Sequence, residues 1–446
     1  MLQPMQAGYL SRTLSNQTND LLTWSSATVT MISSTIQPAV LMSHPTGNQN
    51  VRNALRSLVE HDMLTEFWTT IAWNPKSVLN RLLPATLRTQ MMRRTFLDAP
   101  RSHIKSVPWK EVVRLASRSL PLGNALTFGE RTYSFNGICR HFDRTVANHL
   151  GNHHADIVYA YEDSARSTFH KAKQEGITTV YELPSSHWGW KAQMLSEERE
   201  LNPDFAGLLP DHEDSASKLA SKDEELSLSD YVFVPSQHVR NTLDGFVAQE
   251  KIRVINYGAP PIQDLKVLSA QKSKALKVIF VGSLTQRKGI SYLLDAVDQL
   301  KSDVELTLIG MRYRANSIVD AACSRGRWFE TLPHSEVIKV MREADVLVLP
   351  SLAEGCALVV LEALACGLPV IITPNTGSLE FVRDGREGYV VPIRNADAIA
   401  DRLSALNQDR ELLVNMSRNA QIMAESKSWE NYRASWAETV KALSWR

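Results

Sequence analysis

Apolar residues gather along the chain into short strand-like runs separated by stretches with helical spacing, and the two kinds of segment alternate. Ala39 to Ser43 reads as a first buried strand, followed by the loop HPTGNQN, an amphipathic helix from Val51 to Glu60 and a strand from Glu66 to Trp73. The rhythm resumes at DIVYAY, Asp156 to Tyr161, with a helix near Ser164 to Gln174 and a strand from Thr178 to Glu182. Tyr231 to Pro235 is the next strand, Ser236 caps a helix, and Arg253 to Asn256 is a short strand. Farther on, Lys277 to Val281, Glu305 to Gly310, Trp328 to Leu332, Asp345 to Ser351 and Gly388 to Pro392 read as strands. Helices are predicted from near Ser291, through Met341, over Leu358 to Cys366, Ala396 to Leu406 and Arg410 to Glu425, with an amphipathic tail carrying Trp429, Trp436 and Trp445. Such alternation predicts an α/β fold.

Two stretches break the pattern. Residues 1–36 are rich in Ser, Thr, Asn and Gln without periodicity, which predicts a mobile tail. Residues 259–275, APPIQDLKVLSAQKSKA, show no clear element and read as a linker. The expected organisation is therefore a first α/β domain over 37–258, a second over 276–426, and a terminal segment over 427–446. A chain of 446 residues is longer than one core usually holds, which supports the division.

Within the first half, the segment 76–119 changes character. Lys76, Arg81, Arg88, Arg93, Arg94, Arg101, Lys105, Lys110, Arg114 and Arg118 are opposed only by Asp98 and Glu111, and Leu82, Leu87, Met91, Met92, Phe96, Trp109 and Val112 are interleaved with them. This basic helical insertion fits either an anionic membrane surface or acceptor, or a solvated face packed on its own domain. Over the whole chain 49 basic residues balance 48 acidic ones, a net charge of +1 that argues against a general nucleic-acid binder. Cys139, Cys323, Cys356 and Cys366 form no CxxC pair, so neither a zinc site nor a disulfide framework is indicated and a cytoplasmic setting fits. No run approaches the roughly 18 apolar residues of a membrane span, and no signal-peptide pattern opens the chain. A peripheral place on the inner membrane face is the expectation if the basic segment binds lipid.

Three loops carry candidate chemistry. In SLAEGCALVVLEALACG, Glu354 lies in a loop and Glu362 is the one charged residue of an apolar helix, where a carboxylate needs donors facing it. The free amides at that helix start suit an anion. In GSLTQRKG, Gly282 to Gly289, the adjacent Arg287 and Lys288 at a strand end suit a diphosphate. In YELPSSHWGW, a loop at a strand's carboxyl edge, Glu182, His187, Trp188 and Trp190 are candidates for acceptor contact. His212, Glu213 and Asp214 open a helix, where acidic residues suit the macrodipole better than a metal.

Taken in order, Val281 and Gly282, Lys288 and Gly289, Pro350 through Gly355, Glu362 and then Gly367, Pro369 and Val370 resemble the donor half of the family 4 retaining glycosyltransferases, of the bacterial surface-glycan type. The resemblance covers most of residues 230–430. It implies two facing Rossmann-like doubly wound domains, the GT-B fold, with a nucleotide-sugar in the cleft and a final helix, here SWENYRASW, crossing back to the first domain. It also implies that Lys288 meets the diphosphate, Glu362 the ribose and Glu354 the transferred sugar. The amides of Ala357, Leu358 and Val359 would meet phosphate, and the Thr331 to His334 loop would lie by the base. Ser283 stands where the family commonly has Arg, so Arg287 is expected to replace that charge. No cofactor and no metal are expected beyond the nucleotide-sugar donor.

Tyr159, Tyr161 and Glu182 stand where many relatives carry His at first-half strand ends, leaving Gly47, Glu182 and His187 as acceptor-side candidates. The function implied is transfer of a sugar, with retention, from a nucleotide-diphosphate sugar to a hydroxyl of a glycan or lipid-linked acceptor. The alternatives are an inactive relative that binds nucleotide-sugar or glycan, and a sugar-nucleotide epimerase on the same architecture.

Overall fold

The alternating segments fold into two separate parallel sheets. The structure, a computed structural model, describes residues 37–117, 131–151, 154–210, 214–262 and 275–445. The tail over 1–36, most of the linker 259–275, His212 and Glu213, and the end of the basic segment from Arg118 lie outside the described residues. The first sheet holds β1 (Val40–Ser43), β2 (Leu64–Thr69), β3 (Ile104–Ser106), β4 (Ile157–Tyr161), β5 (Thr178–Glu182), β6 (Tyr231–Val234) and β7 (Ile252–Val254), in the order β3-β2-β1-β4-β5-β6-β7. The second holds β8 (Leu276–Val281), β9 (Val304–Ile309), β10 (Arg327–Phe329), β11 (Val346–Leu349), β12 (Val370–Ile372) and β13 (Gly388–Val390), in the order β10-β9-β8-β11-β12-β13. Every pairing is parallel.

Parallel strands need helical crossovers that cover both faces, and this is why β1, β4, β5 and β11 are buried along their whole length. Each sheet reverses its order once, between β1 and β4 and between β8 and β11. A doubly wound sheet opens a crevice at such a switch point, beyond the carboxyl ends of the strands.

The basic segment departs from a purely helical insertion, because Ile104–Ser106 pairs with β2 and supplies the edge strand β3. β2 also stops at Thr69 instead of running to Trp73. Ile71 and Trp73 pack against Met91, Leu115, Leu83 and Leu87, and the Trp73 N–H donates to the Arg94 carbonyl. Glu111 is fully buried and accepts from Arg94 and Arg114 at 2.7 Å each, so two of the cations serve the segment's own packing. A second departure is the helix Trp188–Leu201, which begins where a loop was predicted to continue. It buries only Leu195 and Glu198, too little to leave an apolar periodicity.

After the second sheet the chain returns to the first. Ala259 N–H donates to the Lys427 carbonyl at 2.6 Å, so the outgoing and returning strands run side by side. Ser428 caps the helix Trp429–Lys441, which lies on the helix Gln49–Glu60 through Ser57 Oγ to the Arg433 carbonyl at 2.6 Å and Arg433 to Glu60 at 2.8 Å. Trp436, fully buried, sets its ring edge-on to Tyr159 at 5.1 Å. Truncating such a residue to Ala costs roughly 3–5 kcal/mol.

Candidate functional site

The two sheets meet along a cleft whose floor is made by direct contacts of the loops after β5 and β6 with the second half. Ser186 Oγ donates to the Glu354 carbonyl at 2.7 Å, Ser236 Oγ to the Gly355 carbonyl at 2.6 Å, and the Gln237 N–H to Glu380 Oε1 at 2.5 Å. A Cβ on Gly355 would stand 1.9 Å from the Pro184 carbonyl oxygen, so only glycine lets the loop after β11 approach the loop after β5 this closely.

On the second half's side, the loop after β8 brings its cations to the loop after β11. Lys288 Nζ lies 2.6 Å and an Arg287 guanidinium nitrogen 2.9 Å from the same oxygen, Glu354 Oε1. Arg287 also donates to the Ala353 carbonyl at 2.5 Å, and its own carbonyl accepts the Leu352 N–H at 2.8 Å, fastening one loop to the other. Burial alone would raise the Glu354 carboxyl, but Lys288 and Arg287 outweigh it and hold the group below its usual range. Gly282 lies under the Lys288 side chain, where a Cβ would come within 2.9 Å of Cδ and Cε, while Ser283 is exposed at the mouth of the loop.

Glu362, in the helix Leu358–Ala365, is mostly withdrawn from water, and His334 Nε2 faces its Oε1 at 2.9 Å. The donor that the apolar helix demanded is thus the histidine that opens the helix His334–Glu343. Thr331 is exposed on the loop before it, past the end of β10. The helix start is narrower than expected. The Ala357 N–H already donates to the Thr376 carbonyl at 3.0 Å, which corrects its assignment as an anion-binding amide. Leu358 and Val359 remain, since first-turn amides have no carbonyl within their own helix.

The first half departs further from the acceptor-side expectations. Glu182 is 3% exposed, and the Tyr159 and Tyr257 hydroxyls, which pack under the returning helix, donate to its two oxygens. Burial, only partly offset by those two hydroxyls, pushes its carboxyl up to about 7. It is a packing carboxylate and is corrected as an acceptor-side candidate. His187 is also corrected: its Nδ1 accepts from the Gly189 N–H at 3.2 Å, capping the helix Trp188–Leu201, and its ring stacks on Phe246 at 4.0 Å. Burial lowers its pKa despite Asp223, leaving a neutral cap. Trp188 donates to Asp223 at 2.7 Å, and Trp190 sets its edge against His238 at 5.0 Å.

One residue was passed over. His44, directly after β1 in the HPTG loop, accepts the Gly47 N–H at 2.7 Å and the Thr46 N–H at 3.1 Å on Nδ1. The ring proton therefore resides on Nε2, and burial pushes the pKa down to about 3, so His44 is a neutral N–H donor at the first switch point. Gly47 itself shapes the loop around this histidine. The signal was there, a His immediately beyond an apolar run, but the loop was read for its glycine.

Among the described residues no group of three or more His, Cys, Asp or Glu is arranged to hold a metal ion, and no helix is long and apolar enough to cross a membrane. A groove of about 760 Å³ lies elsewhere, at the amino ends of β8 to β10, lined by Lys277, Lys301, Glu305 and Arg327 among others. Strand amino ends are not where doubly wound sheets bind ligands, so the cleft remains the candidate site.

The model of the family described as "Glycosyl transferases group 1" matches residues 263–423. The D-inositol 3-phosphate glycosyltransferase of Paenarthrobacter aurescens (strain TC1) is 31% identical over 217 residues, 42% of this chain and 52% of that protein. The putative colanic acid biosynthesis glycosyltransferase WcaL of Escherichia coli (strain K12) is 31% identical over 189 residues, 36% of this chain and 43% of that protein. The chain thus spans about half the length of the curated relatives it matches. Among solved structures, Anabaena Alr3699/HepE in complex with UDP and glucose superposes with a TM-score of 0.59 at 16% identity, covering 91% of this chain and all of that one. Two facing doubly wound sheets with a returning terminal helix are the GT-B architecture, and residues 263–423 are similar to the group 1 glycosyl transferases.

Proposed function

We propose that the protein transfers a sugar from a nucleoside-diphosphate sugar to a hydroxyl acceptor, with retention at the anomeric carbon. The observation that carries this reading is the convergence of Lys288 and Arg287 on Glu354 at the second switch point. An ammonium has three donors and a guanidinium five, so both cations can hold Glu354 and still present N–H groups to a diphosphate. As the bond from the anomeric carbon to the diphosphate breaks, negative charge grows on the leaving oxygen. Lys288, Arg287 and the amides of Leu358 and Val359 are placed to stabilise it. Glu354, kept ionised, holds the sugar hydroxyls as positive charge develops on the ring. Glu362 with His334 is the seat for the ribose, with the Thr331 loop beside the base. His44 is the first-half donor for the sugar or the acceptor, and its presence removes the motive for reading the protein as an inactive module.

A surface-glycan or lipid-linked acceptor is supported by the likeness to WcaL and by the basic segment. There Lys76, Arg81, Arg88, Arg93 and Arg101 are exposed beside Val78, Leu97 and Trp109, the last three being 73%, 74% and 50% exposed. Such a face binds anionic vesicles in a salt-sensitive manner, whereas equal binding to zwitterionic vesicles would leave only a solvated surface. The function is tested by NMR of the product from a donor of known anomeric configuration. Retained configuration in an acceptor-dependent product supports the proposal; inversion, or epimerised donor without acceptor, would overturn it.

A further inference from the structure

The helix Trp188–Leu201 belongs to the first half, yet its polar face is spent on the second. Glu198 is fully buried and accepts from Gln286 Nε2 at 2.6 Å, the Tyr292 hydroxyl at 2.8 Å and Arg394 Nε at 2.8 Å, all from the second half. Asn202, one turn on along the same face, donates to Ser291 Oγ at 3.1 Å. Arg394 adds a bond to the Met194 carbonyl at 3.1 Å and an ion pair with Glu197 at 3.3 Å. Its backbone lies at φ 60°, a left-handed conformation that costs a non-glycine residue and persists only where the surroundings hold it.

What the carboxylate grips matters most. Gln286 directly precedes Arg287 and Lys288, and is itself completely buried. Within its own half, the Gln286 side chain meets Ser291, whose hydroxyl accepts at 2.6 Å and whose N–H donates back at 3.2 Å, and its backbone carbonyl accepts the Gly289 N–H at 2.8 Å. The remaining hold on this residue comes from across the cleft. Asn202 of its own half offers Glu198 one longer bond at 3.3 Å, so a buried carboxylate facing donors from Gln286, Tyr292 and Arg394 is fully satisfied while the halves are together.

From this we infer that Glu198 is a positioning residue that couples closure of the cleft to the placement of Arg287 and Lys288. Closure brings a first-half carboxylate onto the base of the donor loop, and the loop's cations reach their working positions when that contact forms. Donor binding to the open second half needs only the loop's anchors within that half, Ser291 on Gln286 and the bonds of Arg287 to Ala353 and Leu352. Turnover needs the latch. The inference rests on the reading of Lys288 and Arg287 as the diphosphate's cations, and its test separates the two.

In the full-length protein, Glu198→Gln turns one acceptor oxygen into a donor facing other donors. The expected result is a turnover number about tenfold lower, nucleoside-diphosphate affinity within about threefold of wild type, and a larger radius of gyration by small-angle X-ray scattering. Tyr292→Phe removes a single donor and is expected to cost about two- to fourfold in turnover without changing expression or folding. Gln286→Glu sets two carboxylates together and reproduces the opening; combining it with Glu198→Gln restores one donor–acceptor pair and recovers part of both turnover and compactness. A merely structural role would lower the melting temperature while leaving turnover per folded molecule and the radius of gyration unchanged, and that outcome would overturn the inference. Failure of wild type to bind any nucleoside diphosphate would instead defeat the donor assignment, while the scattering comparison still decides the latch.

Discussion

Glu354 and Glu182 are both carboxylates withdrawn from water near the carboxyl edge of a parallel sheet, and their pKa values are shifted in opposite directions. Glu354 faces two cations from one loop and stays ionised below its usual range. Glu182 faces tyrosine hydroxyls and aromatic rings, and burial carries it up to about 7. Burial acts on both in the same direction, so what differs is the company each keeps. A carboxylate held charged beside spare cationic donors can work on an anionic substrate. One sealed beneath a returning helix and paired with phenols contributes packing and polar satisfaction to the first half.

The contrast breaks most sharply at Lys288. Lys288→Ala removes a cation from Glu354 and, in the proposed function, from the leaving diphosphate, and a loss of roughly 10²–10³ in turnover is expected, as for removal of a preorganised transition-state donor. It also leaves Glu354 more exposed to the upward push of burial. Because the folded pKa is depressed, the native Glu354 contribution is present above 4.5 and lost as pH falls through the folded value. The variant's stability loss should therefore be larger at pH 7 than at pH 4 in urea denaturation. An equal loss at both would show that Lys288 does not govern the charge of Glu354.

Glu182 predicts the reverse sign with a smaller effect. Its folded pKa lies above the ordinary 4.5, so the native state holds the extra proton and stability falls as pH rises from about 4.5 to about 7, levelling beyond. Glu182→Gln keeps the shape, lets the Tyr159 and Tyr257 hydroxyls reorient, and removes the titration. The variant is expected to gain about 1–3 kcal/mol relative to wild type at pH 8 compared with pH 4, with turnover unchanged. A turnover loss at constant stability would return Glu182 to the cleft.

The same pair shows what the chain discloses about itself. Arg287, Lys288 and Glu354 were legible because their chemistry is local: adjacent cations at a strand end, and a loop carboxylate before an apolar helix. The two sheets were legible for a related reason, since parallel strands buried on both faces leave contiguous apolar runs such as DVLVLPS. Glu182 was misread because its surroundings are assembled from Tyr257 and the returning Trp436, remote in sequence. His187 looked like an acceptor contact and is a helix cap, its Nδ1 accepting the amide of Gly189. The helix Trp188–Leu201 left no apolar stripe, because the face it buries is polar and is satisfied by the other half.

The central claim is that the second half holds a nucleoside diphosphate on the cations of the β8 loop. Isothermal titration calorimetry of UDP, GDP and ADP against the wild-type protein and Lys288→Ala tests it most directly. The account predicts saturable binding of at least one of the three, weakened tenfold or more by the substitution, about 1.4 kcal/mol or greater. Binding by none of them, or binding of equal strength in Lys288→Ala, would contradict it.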